Sequence, residues 1–213
     1  MNAVATATAR DSATTHVDVL IVGAGLGGIG SAVHLRRDLP GKSFAILEMK
    51  DTFGGTWVTH RYPGIRSDSD LYTYGYSFKP WVGPPIASGA AIIDYLGEVI
   101  EDYDLAPHMH FGHRITAAEW SSEARRWTVT ATRGDGTTAR FTCTFLWMCQ
   151  GYYDHENPYM PDWPGTADFG GLLVHAQSWD PETDYSGKNV VVIGSGASAA
   201  TIVPAMADRK SVV

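Results

Sequence analysis

Apolar and polar positions along the chain fall into blocks of changing period. Val17 to Val22 (VDVLIV) is a short apolar run, rich in β-branched residues, and predicts a strand. GAGLGG follows, with glycines at 23, 25, 27 and 28. Ile29 to Leu39 then carries apolar residues at helical spacing, and Pro40-Gly41 ends the helix. Phe44 to Leu47 predicts a second buried strand, closing on Glu48. Met49 to Trp81 has no clean period and is dense in glycine and aromatics, which predicts a long ordered loop of functional kind. Ser88 is placed to cap a helix from about Gly89 to Tyr103, with Ile92, Ile93, Leu96, Val99 and Ile100 as its apolar stripe. Ile115 to Trp120 and Trp127 to Thr132 alternate across a short polar segment, as a hairpin does, and Arg133-Gly134-Asp135-Gly136 turns into a further strand, Thr138 to Thr142. Phe145 to Cys149 is continuously apolar and predicts a central parallel strand. Val190 to Ile193 predicts another strand, with a helix from about Ala197.

The first block is a strand–turn–helix–strand unit of the length a dinucleotide fold needs. In such a unit Gly23 makes the tight turn, Gly25 lets backbone approach a pyrophosphate, and Gly28 lets helix and strand pack closely. The helix N-terminus offers N–H groups to phosphate. Glu48, twenty residues after Gly28, is placed to accept hydrogen bonds from a ribose. A second, partial copy follows about 170 residues later, with Gly194, Gly196 and Ala199 in the fingerprint places and Ser195, Ala197, Ser198 and Ala200 around them.

Composition narrows the classes. The chain has 213 residues, enough for one large domain or one domain and part of another, and its net charge of −7 disfavours nucleic acid and anionic membrane as partners. No run is long enough for a membrane helix. Residues 1 to 16 lack the apolar core of a signal peptide and read as a disordered leader, so a cytoplasmic protein is expected. Cys143 and Cys149 lie in or beside an apolar run and are expected as buried free thiols. His108, His110 and His113 lack acidic or cysteine partners at ligand spacing, so no metal is expected there.

Two further motifs carry a resemblance. FGGLLVHAQSWD fits F-x-G-x-x-x-H-x-x-x-W-[P/D] through Phe169, Gly171, His175, Trp179 and Asp180. GGTWVTHRYPGIRSD fits [A/G]-G-x-W-x-x-x-x-[F/Y]-P-[G/M]-x-x-x-D through Gly54, Gly55, Trp57, Tyr62, Pro63, Gly64 and Asp68. With the two glycine fingerprints, the chain resembles the class B flavin monooxygenases of the Baeyer–Villiger type, in the branch of the ethionamide-activating monooxygenase, from Val17 to Asp208.

The resemblance implies an α/β fold: an FAD-binding Rossmann-type domain of the two-dinucleotide flavoproteins, with a truncated NADP-binding domain. Residues 17–157 would be the amino-terminal part of the FAD domain, 158–187 a linker bearing the fingerprint, and 188–213 the start of the NADP domain. Gly23, Gly25, Gly27 and Gly28 would hold the FAD pyrophosphate and Glu48 its ribose. Thr56, Trp57, Val58, Thr59 and Asp68 would line the flavin, and Ile115 would meet the adenine end through its backbone. Arg66, Ser67 and Asp68 would face the nicotinamide nucleotide, whose pyrophosphate would lie on Gly194 to Ala200. His175 and Trp179 would couple domain movement to catalysis. The implied activity is NADPH- and O₂-dependent insertion of oxygen into ketones through a C4a-peroxyflavin, with sulfides as further substrates. Asp68 would hold an arginine that lies outside this chain. Two other enzyme readings are an N- or S-oxygenating flavin monooxygenase, which the His175 fingerprint disfavours, and a disulfide reductase, which Cys143 and Cys149 do not fit. By itself the 213-residue chain is expected to be inactive.

Overall fold

The computed structural model describes residues 14–207. The chain divides into two compact units, one formed by residues 1–53 and 100–151, the other by 54–99 and 152–213. The expected disordered leader, residues 1–16, lies outside the described residues as far as residue 13, but Thr15 and His16 are corrected to the start of the first strand, paired with Phe141 and Thr142.

The first unit is built on a six-stranded sheet in the order β3-β2-β1-β6-β5-β4. The strands are β1 (Thr15–Val22), β2 (Phe44–Leu47), β3 (Met109–His110), β4 (His113–Ser121), β5 (Arg126–Arg133) and β6 (Thr138–Met148). β1 pairs in parallel with both β2 and β6. Helix α1 (Leu26–Asp38) makes the β1–β2 crossover. Successive strand residues point to opposite faces. On β1 and β2 both sets are buried: Leu20, Ala45 and Leu47 belong to one core cluster with Val129, Phe141 and Cys143. Ile21, Phe44 and Ile46 are the alternate set and are equally buried, and α1 packs on β1 and β2.

The glycine-rich Arg133–Gly136 turn forms as its composition predicts. Asp135 Oδ1 accepts from Thr137 N at 2.9 Å, and Gly136 takes φ +81°. Two expectations are corrected here. Thr138–Thr142 and Phe145–Cys149 are not separate strands but one, β6, because pairing with β1 begins before pairing with β5 ends. Its first part pairs antiparallel with β5 as far as Cys143, while Phe141 to Met148 stay in parallel register with β1. Phe145 to Met148 pair in parallel with β1 as expected, and β6 lies between β1 and β5 in the sheet, but beyond Cys143 β1 is its only partner among the described residues and its side chains are not buried. Phe145 is 56% exposed and Met148 53%. Phe145 and Trp147 line, with Leu35 and Leu39, an apolar hollow of about 320 Å³ by the C-terminal end of α1, the end away from the glycine turn.

The second unit contains α2 (Thr56–Thr59), α3 (Leu71–Tyr74) and α5 (Ala197–Ala207), and α4 (Gly89–Asp102) lies mostly within it. Ser88 caps α4 as expected, its Oγ accepting from Ala91 N at 3.2 Å, and Ile92, Leu96 and Val99 are fully buried. The aperiodic loop is held by polar anchors. Buried Tyr95 donates its hydroxyl to Lys79 O at 2.6 Å and accepts from Tyr76 N at 2.8 Å. Asp70 caps α3 through Thr73 N at 2.9 Å. The predicted strand Val190–Ile193 is absent: the segment is unpaired among the described residues. Val190 and Val192 pack inward, whereas Val191 and Ile193 are 83% and 71% exposed. The alternation of a strand is there, without a ladder partner among the described residues.

Asp18 ties β1 to the start of β2. Its carboxylate accepts from Ser43 N at 2.8 Å, Ser43 Oγ at 2.7 Å and Lys42 Nζ at 3.1 Å. The bonds from Ser43, assisted by Lys42, hold its pKa down at about 2. A carboxylate with a depressed folded-state pKa contributes stability above its unfolded value, and that contribution is lost as pH falls through the folded one. Between about pH 4 and pH 2 the native chain is therefore expected to lose more thermal stability than the Asp18→Asn variant. Melting curves at pH 5 and pH 2.5 check this, and equal losses in the two proteins would remove the assignment.

Candidate functional site

The first unit gathers its candidate residues at the β1–α1 turn, where three strand ends converge. Gly23 N donates to Leu47 O and Cys149 N to Val22 O, each at 2.8 Å. The ends of β2 and β6 are thereby fixed on either side of the turn. Gly23 sits at φ +99°, and a Cβ on it would stand 2.6 Å from the carbonyl oxygen of Cys149. A Cβ on Gly28 would lie 1.8 Å from Gly23 O. Neither position has room for a side chain, and Gly23 also needs a backbone that other residues rarely adopt. Gly25 is different: it is the extended N-cap of α1, with φ −84° and ψ −169°, a conformation open to any residue.

Gly25 provides no side-chain cap for α1, and there is no acidic residue in the first turn. Backbone N–H groups and the positive dipole end are left for an external anion. Glu48, 8% exposed, closes the turn: Oε2 accepts from Ala24 N at 2.8 Å and Oε1 from Lys50 N at 2.9 Å. Its backbone is held between His110 O and His113 N at 3.0 and 2.8 Å. Each carboxylate oxygen keeps a second lone pair for a ligand hydroxyl. Ile115, by contrast, uses its side chain against the core cluster, just before a bulge in β4.

Cys149, whose residue type suggests only a buried thiol, is a member of this turn. Its carbonyl closes over Gly23, and its Sγ lies 3.7 Å from Ser31 Oγ, with burial pushing the thiol pKa up. The register Val22↔Met148 gives the reason, since the next residue of β6 must face the turn. That pairing is not legible in a single sequence.

The second unit holds the other motifs. Gly55 is the N-cap of α2, and Thr59 Oγ1 donates back to Gly55 O at 2.7 Å. Trp57 Nε1 reaches Tyr74 OH at 3.3 Å, and Val58 lies beside Gly54. Ser67 is buried, pinned by Ala87 N to its Oγ at 3.1 Å. Arg66 bridges to Ser88 by backbone but is exposed. Asp68 is exposed too, and its one hydrogen bond among the described residues is a long one from Ser69 Oγ, 3.5 Å. The tyrosines near it resist ionisation. Tyr153 is pushed up to about 12 by its bond with Tyr152 and by burial, with Asp68 a lesser cause. Buried His60 lies among rings, 4.9 Å from Tyr153 and 5.8 Å from His155.

In the connector, His175 caps the turn Ala176–Ser178 by accepting from Gln177 N at 3.2 Å. Trp179 packs edge-on to Tyr185, and Asp180 caps Glu182 N at 3.0 Å. Phe169 is exposed, folded over Gly171. The second glycine turn leads into α5, whose first hydrogen bond, Ala200 N to Gly196 O, is 3.1 Å long. Gly194 takes φ +148° with Ala199 beside it, and Ser195, Ala197 and Ser198 complete the turn. The three-histidine stretch holds no metal cluster among the described residues. His108 instead stacks on Phe44 at 4.3 Å and shares Arg36 with Asp104. No helix among these residues is long and apolar enough to cross a membrane.

Comparison with known proteins matches the chain in two consecutive segments. Residues 21–80 match the family model of the NAD(P)-binding Rossmann-like domain, and residues 83–212 that of the flavin-binding monooxygenase-like proteins. The chain is 48% identical over 196 residues to FAD-containing monooxygenase EthA of Mycobacterium tuberculosis, covering 92% of this chain and 40% of that protein. The EthA of Mycolicibacterium smegmatis is 45% identical over 194 residues, with 91% and 39% covered. Among solved structures it is similar to cyclohexanone monooxygenase from Rhodococcus sp. Phi1 bound to NADP⁺, with TM-score 0.75, 30% identity, and 92% and 37% of the two chains covered. Oxidized steroid monooxygenase bound to NADP gives TM-score 0.75 at 33% identity, with 92% and 37% covered. The chain thus spans about two-fifths of the length of these relatives. With its Rossmann-type turn and a family match over more than half its length, the chain belongs to the flavin-binding monooxygenase-like family.

Proposed function

We propose that this chain carries the nucleotide-binding segments of an FAD- and NADPH-dependent monooxygenase that inserts one oxygen of O₂ into ketones, and into sulfides as a second class. The observation that carries the reading is the β1–α1 turn. Two glycines with no room for a Cβ, an uncapped helix end and a carboxylate on the turn are what the pyrophosphate and ribose of FAD require. When bound, the flavin supplies the redox and oxygen chemistry. The chain's own residues bind and orient. Gly23 to Gly28 present backbone N–H groups, Glu48 accepts from the ribose, and Ile115 offers backbone to the adenine. Thr56 to Thr59 and Asp68 line the flavin, and Gly194 to Ala200 take the NADPH pyrophosphate.

The ketone-oxygenating direction rests on Phe169, Gly171, His175, Trp179 and Asp180, together with the likeness to cyclohexanone and steroid monooxygenases. Asp68 supports it further. An exposed carboxylate with one weak partner among the described residues is open to an incoming cation. The role falls to an arginine beyond this chain, which would stabilise developing negative charge at the reacting oxygen. A cytoplasmic setting, where NADPH is supplied, suits this activity.

The first test separates binding from folding. Because Gly25 has a permissive backbone, Gly25→Val in a polypeptide of the relatives' length is expected to keep the melting temperature of the flavin-free wild-type protein while losing stoichiometric flavin. Glu48→Ala is expected to weaken FAD by roughly 1–3 kcal/mol through lost charge-assisted bonds. Absorbance of the purified proteins at the flavin band decides both, and a Gly25→Val protein that stays fully yellow sinks the assignment.

The second test concerns chemistry. Asp68→Ala is expected to keep flavin content and thermal stability but to lower the ester formed per NADPH oxidised by tenfold or more, a loss confined to the oxygenating step. Product analysis against NADPH consumption measures it. Unchanged coupling removes Asp68 from the chemistry, and sulfoxide without ester would turn the reading towards an S-oxygenating enzyme.

A further inference from the structure

Three stretches that carry separate motifs share one apolar cluster in the second unit. Tyr62, Ile202 and Met206 are its buried members, and Ile65, Trp179, Val190 and Val192 pack against them. Tyr62 and Ile65 belong to the Tyr-Pro-Gly motif, Trp179 to the connector fingerprint, and the remainder to the second glycine-turn segment. Gly64 lies against α5. At φ +75°, a Cβ on it would stand 2.6 Å from Ala205 Cβ and 3.2 Å from Thr201 O. Two residues earlier, Tyr62 OH comes within 3.5 Å of Ser198 Oγ, in the first turn of α5.

We propose that Tyr62 and Gly64 are positioning residues for the second nucleotide site. Gly64 lets the motif loop lie directly on α5, and Tyr62 fills the cluster beneath the helix and reaches its first turn. Together they seat the helix whose N-terminal end closes the turn Gly194 to Ala200. This rests on the reading that the turn takes the pyrophosphate of NADPH. The segment Arg66 to Asp68 follows directly on the seat. Any shift of α5 on nucleotide binding is therefore passed to the loop that carries Asp68, and by reciprocity a displaced loop weakens the nucleotide.

A glycine at positive φ is also required merely by its own backbone. Gly165 supplies the control, since it has φ +86° in the same unit and nothing within 4 Å of a Cβ. Amide hydrogen exchange on the full chain is the measurement. Gly64→Ala is expected to speed exchange across Ala197–Ala207 at least tenfold and to leave α1 unchanged, whereas Gly165→Ala leaves α5 at the native rate. From the other side of the contact, Ala205→Leu is expected to speed exchange at Tyr62 to Asp68, which keeps the test decisive if Gly64→Ala does not fold. Tyr62→Phe, with the ring retained, is expected to raise exchange only in the first turn of α5. NADP⁺ titration adds a functional arm, in which Gly64→Ala lowers NADP⁺ affinity at least fivefold and leaves FAD affinity unchanged. Native-rate exchange of α5 in Gly64→Ala, an equal rise in Gly165→Ala, or no response of residues 62–68 to Ala205→Leu overturns the proposal. Faster α5 exchange in Gly64→Ala alongside no NADP⁺ binding by the native chain supports the seat and removes the nicotinamide reading instead.

Discussion

The first unit depends on a contact between pieces of backbone. At the β1–α1 turn the carbonyls of Gly23 and Cys149 occupy the places where Gly28 and Gly23 would carry a Cβ. The carbonyls of Leu47 and Val22 complete the junction by accepting hydrogen bonds from Gly23 N and Cys149 N. Interiors are packed so closely that a single added carbon here has nowhere to go. The helix end is left uncapped by a different glycine, Gly25, whose own backbone would accept any residue, and an uncapped helix end is what a phosphate needs. Packing thus requires glycine at 23 and 28, while the bare N-cap at 25 serves binding.

Local patterns were legible wherever a residue's partner lies near in sequence. The fingerprint, the Ser88 cap, the stripe of α4, the Arg133–Gly136 turn and the start of α5 at Ala197 all stand where the residues place them. Reading failed where the outcome depends on a distant strand. Phe145 to Met148 has the composition of a buried strand, yet burial requires a neighbour on both edges and cover on both faces, and β5 stops pairing at Cys143. Val190 to Ile193 failed for the same reason. Its inner residues pack on a helix, but its backbone joins no ladder among the described residues. Propensity for a strand is fit to a pleated, half-buried surface, and it lapses when the surface is missing.

The candidate site was legible in its residues but not in its grouping. Glu48 meets the glycine turn as its spacing implies, although its acceptors are partly engaged by Ala24 and Lys50 rather than standing open. Cys149 joined the turn through parallel register, which no local signal reveals. Tyr62, Trp179 and Ile202 read as members of three separate motifs, but their cluster makes them one structural feature. Several fixed positions of those motifs therefore answer to packing: Gly64 to Ala205, Trp179 to Tyr185.

What remains after packing is accounted for is a short set of groups that serve no neighbour well. Asp68 is the clearest. Buried Ser67 beside it is bound to Ala87 from both its backbone and its side chain, so the loop is firmly placed while the next carboxylate points to solvent with one long bond. Trp57 and Tyr74 are likewise fixed to each other, and burial raises the pKa of Tyr74. The loop is thus held through Ser67 and Asp70, while the Asp68 carboxylate between them is left exposed with a single long bond among the described residues.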